Sequence, residues 1–182
     1  IKDYNDFSKL YRLGFPNDEV RYGFLDNLMP AYTSIRADKT GLSVWEFYEQ
    51  IEAGDVDGFM EKMKGIISGI PYDSLTEKDL ALREQNYQTA VYLVFALMNQ
   101  FVHTEVHCST GRADCVVEFK DKVYIFEFKL VSNASSEEAV KQIKEKNYAD
   151  RFSGSGKKLI AVGSSFDEEK RTIKDWAVET LA

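Results

Sequence analysis

The chain has 182 residues, 44% hydrophobic and 29% charged, with a net charge of −7. These values suit a globular domain of ordinary size, or a smaller one with an appendage. They argue against a generic basic coat for nucleic acid, and no apolar run approaches the roughly 18 to 20 residues of a membrane span. The acidic excess is uneven. Residues 1–104 hold 10 basic and 16 acidic side chains, whereas residues 105–182 hold 13 and 14. A local basic surface near an acidic pocket is therefore not excluded. The chain starts at Ile1 without a charged-then-apolar signal segment, so it reads as a piece of a longer protein. Cys108 and Cys115 are the only cysteines and lack metal-ligand spacing. They read as ordinary buried thiols of a reducing, cytoplasmic compartment.

Residues 1–75 read as a polar-rich helical segment. Tyr4, Phe7, Leu10 and Tyr11 fall close to helical spacing over Asp3 to Leu13. Gly14 to Asn17 is a break, and Asn17 or Asp18 caps a helix carrying Val20, Phe24, Leu25 and Leu28. Pro30 interrupts that helix or begins the next turn. Ser43 is placed to cap a helix over Val44 to Ala53, with Glu46 at the capping-box position. Asp55 to Ile70 is a further helix, with Phe59, Met63, Ile66 and Ile67 on one face. The remainder, 76–182, changes character. Glu77 to Gln100 is a long helix whose later part is apolar nearly all round, hence buried. Phe101 to Cys108 alternates as a strand.

The stretch from Gly111 to Leu130 is the centre of the reading. It is two strands joined by a turn at Lys120-Asp121-Lys122. Along the second strand Val123, Ile125, Glu127 and Lys129 share one face, and Tyr124, Phe126, Phe128 and Leu130 share the other. Both faces are largely apolar, so the strand is covered on both sides. A carboxylate and an ammonium two residues apart there are costly unless paired or bound to something. A helix over Ser136 to Phe152 follows, with Ala139, Gln142, Ile143 and Lys146 on one stripe. Then come a short buried strand, Lys158 to Gly163, and a polar turn, Ser164 to Glu169. Arg171 to Val178 reads as a last strand or a helix, with the alternation of Thr172, Lys174 and Trp176 against Ile173 slightly favouring the strand. The order predicts an α/β sandwich with a mixed sheet of four to five strands flanked by helices.

Asp114, Glu127 and Lys129 fall on neighbouring strands of the hairpin. Two carboxylates that approach across strands repel, and a divalent cation between them removes the repulsion. Mg²⁺, or Mn²⁺ in its place, takes hard oxygen ligands from one or two carboxylates and keeps its waters. It acidifies water, and Lys129 is placed to orient that water or to stabilise charge on a phosphate oxygen. The chemistry that fits is metal-assisted phosphodiester hydrolysis. The bland alternative is a structural Glu–Lys pair capped by Asp114.

Asp114 followed by Glu127-Phe128-Lys129 after an apolar run resembles the PD-(D/E)XK nuclease superfamily. The stretches GRADCVVEFKDKVYIFEFKL, EEAVKQIKEKNYADRF and KKLIAVGSSF are similar to one branch of it. That branch is the nuclease-like domain found C-terminal to an AAA-ATPase-like domain in bacterial proteins, and FPNDEV near residue 15 resembles the end of the ATPase-like region. The resemblance is strong over about 76 to 178 and weaker over 1–75. It implies a restriction-endonuclease-like core and a Mg²⁺-dependent nuclease acting on DNA. It also implies Asp114, Glu127 and Glu84 as metal ligands and Lys129 as the catalytic lysine. Gln142 and Tyr148 match a pattern on the following helix that often lines the site. Ala113 stands where the name-giving proline would be, a departure that removes no ligand.

Other residues admit two readings. Glu105 alternates with His107 on the preceding strand and could join the site, while His107 reads as structural. Arg112 could meet a phosphate or lie on the surface. Lys141, Lys144, Lys146, Arg151, Lys157 and Lys158 could contact phosphates, though a solvated helix face is the plainer account. Two rivals to the nuclease stand beside it. One is a catalytically silent module that binds nucleic acid or a partner. The other is a docking domain for an AAA-ATPase-like region.

Overall fold

A computed structural model of the chain describes residues 3–5, 10–12, 15–33, 35–68, 80–98, 105–107, 114–167, 169–170 and 172–181, with backbone alone at 3–5, 10–12, 42, 80–88 and 105–107. The main sheet has five strands in the order β3-β4-β5-β6-β7: β3 Glu105–His107, β4 Cys115–Glu118, β5 Lys122–Leu130, β6 Lys158–Asp167 and β7 Thr172–Thr180. It is mixed, because β5 pairs antiparallel with β4 and parallel with β6, while the outer pairs are antiparallel. The parallel step requires a crossover, supplied by α5, Ser136–Glu145.

The alternation along β5 divides the interior in two, as the period of two predicts. Tyr124, Phe126, Phe128 and Leu130 join a large core with residues of α1 (Asp18–Tyr32), α2 (Thr40–Ala53), α3 (Val56–Ser68) and α4 (Leu80–Met98). Aromatic contacts knit it together: Phe95 lies 4.9 Å from Phe126 and 5.2 Å from Phe59, ring centre to ring centre. On the other face Val123 and Ile125 pack with Val140, Ile143 and Phe152 beneath α5. Ala90, Val91 and Leu93–Met98 of α4 are buried, as an all-round apolar helix should be. Cys115 is a buried residue, while Cys108 lies outside the described residues. No described helix is long and apolar enough to cross a membrane.

Several local expectations are corrected. Asp3–Asn5 and Leu10–Arg12 are not helical but form a small antiparallel hairpin, β1 and β2, with Tyr4 opposite Tyr11. Asp3, Asn5 and Asp6 are poor helix formers, and the cross-strand pairing wins. Asn17 caps α1 as expected, accepting the Val20 N–H at 2.9 Å, but Pro30 sits within the last turn rather than ending the helix. α2 begins at Thr40, not after Ser43, because a 3₁₀ turn at Ala37–Lys39 runs straight into it. Glu46 consequently makes no capping box and pairs with Lys62 of α3. α5 stops at Glu145 instead of Phe152, since Asn147 takes a left-handed conformation with φ 53°. β6 runs on to Asp167, so Ser164 and Ser165 are buried strand residues rather than a polar turn.

Candidate active site

Glu127 projects from β5 on the α5 face and is only 3% exposed. An isolated carboxylate could not stay charged at such a depth. Lys129, two residues along the same face, donates to Glu127 Oε1 at 2.8 Å, with its side chain 22% exposed. The Gln142 amide of α5 donates to the same oxygen at 2.5 Å. Its Nε2 also lies 3.5 Å from the Tyr148 hydroxyl. Tyr148 belongs to the turn after α5, not to the helix, and comes back over it through its N–H to the Ile143 carbonyl.

Asp114 immediately precedes β4. In the antiparallel register Cys115 faces Phe126, and Asp114 lies one residue beyond the paired ladder, toward the Glu127 end of β5. Its Oδ2 accepts the Phe128 N–H at 2.8 Å, so the side chain continues the ladder where the β4 backbone leaves off. Three elements, the start of β4, β5 and α5, therefore bring Asp114, Glu127, Lys129 and Gln142 to one end of β5, with Tyr148 behind Gln142. The helix start beside them is well defined. Ser135 Oγ accepts the Glu138 N–H while Glu138 Oε2 accepts the Ser135 N–H, a complete capping box. Glu137, in the first turn, is held below the usual carboxylate range by its own main-chain N–H, then by the hydroxyls of Ser135 and Ser136.

The remaining predicted residues are placed as follows. Glu84 falls on α4, whose buried part packs against the opposite face of the sheet, and its side chain lies outside the described residues. Glu105 and His107 are on β3, likewise with backbone alone, and Arg112 lies outside the described residues. Three of the six basic residues considered for phosphate contact have acidic partners: Lys141 with Glu145, Lys144 with Glu179 and Lys157 with Glu118. Arg151 lies over the Phe152 ring. Lys141 and Lys144 thus sit on a solvated helix face, while Lys157 is part-buried against Glu118. Two neighbours escaped sequence reasoning. Ser165 sits opposite Lys129 in the register, and its hydroxyl donates to Asp175 Oδ1 on β7. The signal was a Ser-Ser pair directly after an apolar strand, which a reader of polarity takes for a turn.

Residues 82–176 match the family model of the PD-(D/E)XK nuclease superfamily. The chain belongs to the PD-(D/E)XK nuclease superfamily. Its mixed sheet, preceding helix and crossover helix are the PD-(D/E)XK core expected from the sequence. The chain is also 31% identical, over 174 residues, to an "Uncharacterized protein in vnfD 5'region" of Azotobacter chroococcum mcd 1. That match covers 94% of this chain and 33% of the relative, so the chain spans about a third of the relative's length. No solved structure matches. PD-(D/E)XK nucleases typically use divalent metal ions, and the donors present fit one. Asp114, just before β4, and Glu127, on β5, would supply hard carboxylate oxygens of the kind Mg²⁺ takes. Among the described residues, no group of three or more His, Cys, Asp or Glu forms a metal-holding cluster.

Proposed function

We propose that this domain is a Mg²⁺-dependent nuclease that hydrolyses DNA phosphodiester bonds at the end of β5. The observation that carries this reading is the convergence of Lys129 and Gln142 on one oxygen of the buried Glu127 carboxylate, within a PD-(D/E)XK chain. Asp114 and Glu127 would hold the cation. When bound, it supplies Lewis-acid stabilisation of phosphate charge and makes neighbouring water easier to deprotonate. Lys129 places a positive charge beside the attacked phosphate, where it stabilises developing oxyanion charge and orients the attacking water. Glu127 holds the Lys129 ammonium in place through Oε1. Gln142 fixes the rotamer of Glu127, as hydrogen-bonded partners of ligating carboxylates do.

The deciding experiment is cleavage of single- and double-stranded DNA with Mg²⁺ or Mn²⁺. Wild type is expected to cut only with the cation. Lys129→Ala and Glu127→Ala are each expected to lose on the order of a hundredfold or more in rate. Unchanged cleavage in either variant would falsify the mechanism.

A second reading has specific support in the bonds Asp114 and Glu127 already make. Asp114 holds the Phe128 amide and Glu127 holds Lys129, so both also serve the fold. In that case the domain is a catalytically silent PD-(D/E)XK module that binds nucleic acid or a partner. Such a module shows no cation-dependent cleavage and takes up no cation between Asp114 and Glu127.

A further inference from the structure

Gly163 stands opposite Glu127 in the parallel ladder between β5 and β6. It is not one of the glycines with positive φ, so backbone freedom is not its use. Space is. A Cβ built there would lie 2.1 Å from the Ser136 carbonyl oxygen, 2.8 Å from the Val140 nitrogen and 2.9 Å from the Ala139 Cβ. Two of these three are main-chain atoms of α5, which cannot turn aside as a side-chain tip could. Glycine within a strand often marks such a close approach of another backbone. The helix rests directly on β6 at this point, and Gln142 follows one turn after Ala139, where it meets Glu127.

We propose that Gly163 is a positioning residue for this site. The missing side chain sets the depth at which α5 seats, and that depth is what brings the Gln142 amide to the Glu127 carboxylate. Close-packed interiors transmit such a displacement rather than absorbing it. The consequence for metal binding rests on the reading of Asp114 and Glu127 as cation ligands. The consequence for the Gln142–Glu127 hydrogen bond does not.

Two readouts test it in the folded protein: the side-chain amide resonances of Gln142 by NMR, and Mn²⁺ affinity by titration. Gly163→Ala is expected to move the Gln142 amide signals toward those of a water-exposed glutamine. It is also expected to weaken Mn²⁺ binding by about ten- to a hundredfold, the usual loss when a ligand's supporting hydrogen bond goes. Because Gly163 acts through Gln142, the double variant with Gln142→Ala should bind no more weakly than Gln142→Ala alone. Unmoved Gln142 signals in Gly163→Ala, or losses that add in the double variant, overturn the proposal. Should Gly163→Ala fail to fold, Ala139→Val wedges the same contact from the helix side. It is expected to shift the Gln142 signals in the same direction, and an unmoved amide again overturns the proposal. Absence of Mn²⁺ binding in wild type would refute the metal reading while leaving the amide signals to decide the role of Gly163.

Discussion

At the scale of single residues, one strand carries two different burdens. Its odd-numbered positions deliver Glu127 and Lys129 to the site, and its even-numbered ones anchor the large core. Tyr124 shows the second burden most clearly. It is fully buried, and its hydroxyl donates to the Ile51 carbonyl of α2 at 2.7 Å. Burial, and then the nearby Asp121 charge, push its pKa up to about 12. The folded state thus holds this proton more tightly than the unfolded chain, whose tyrosines titrate near about 10. The associated stability is complete below about 10 and is lost as pH rises through about 12. Urea unfolding at a series of alkaline pH values should show that decline, and Tyr124→Phe should flatten part of it. At neutral pH the same substitution should cost about 1 kcal/mol for the lost hydrogen bond. An unchanged alkaline slope in Tyr124→Phe would mean that other groups carry the titration.

At the scale of elements, α5 matters most, because it closes the crossover and delivers Gln142. Its start is set by the reciprocal Ser135–Glu138 cap. Ser135→Ala should lower stability by about 1 kcal/mol in chemical unfolding, and a loss indistinguishable from zero would contradict the cap's role. The elements also show what was legible beforehand. The hairpin and its two faces follow from alternation, a local rule that needs no knowledge of the rest of the molecule. The cap of α1 at Asn17 and the buried face of α3 were legible for the same reason. The end of α5 was not, since it depends on one residue, Asn147, adopting a left-handed turn. Nor was the length of β6. Ser165 looks like a turn residue until Asp175 of the next strand is there to accept its proton. The reach of Gln142 depends on the missing side chain of Gly163, a contact across 21 residues of sequence that no periodicity records.

At the scale of the whole molecule, the sheet is a partition. Helices α1 to α4 bury one face in a large aromatic core, and α5 with a smaller core covers the other. The site belongs to the smaller side, at the end of β5, where two neighbouring strands meet a helix in one place. This arrangement keeps the charged groups away from the main core. With a net charge of −7, the proposed nuclease would have to attract a polyanion through a cation at the site rather than through its general surface. In the proposed nuclease, Asp114 and Glu127 together hold a divalent ion. The most direct measurement is anomalous diffraction from crystals soaked in Mn²⁺, with Glu127→Ala treated in parallel. The account predicts a peak between the Asp114 and Glu127 carboxylates in wild type and none in the variant. A wild-type map with no ion at those carboxylates would contradict it.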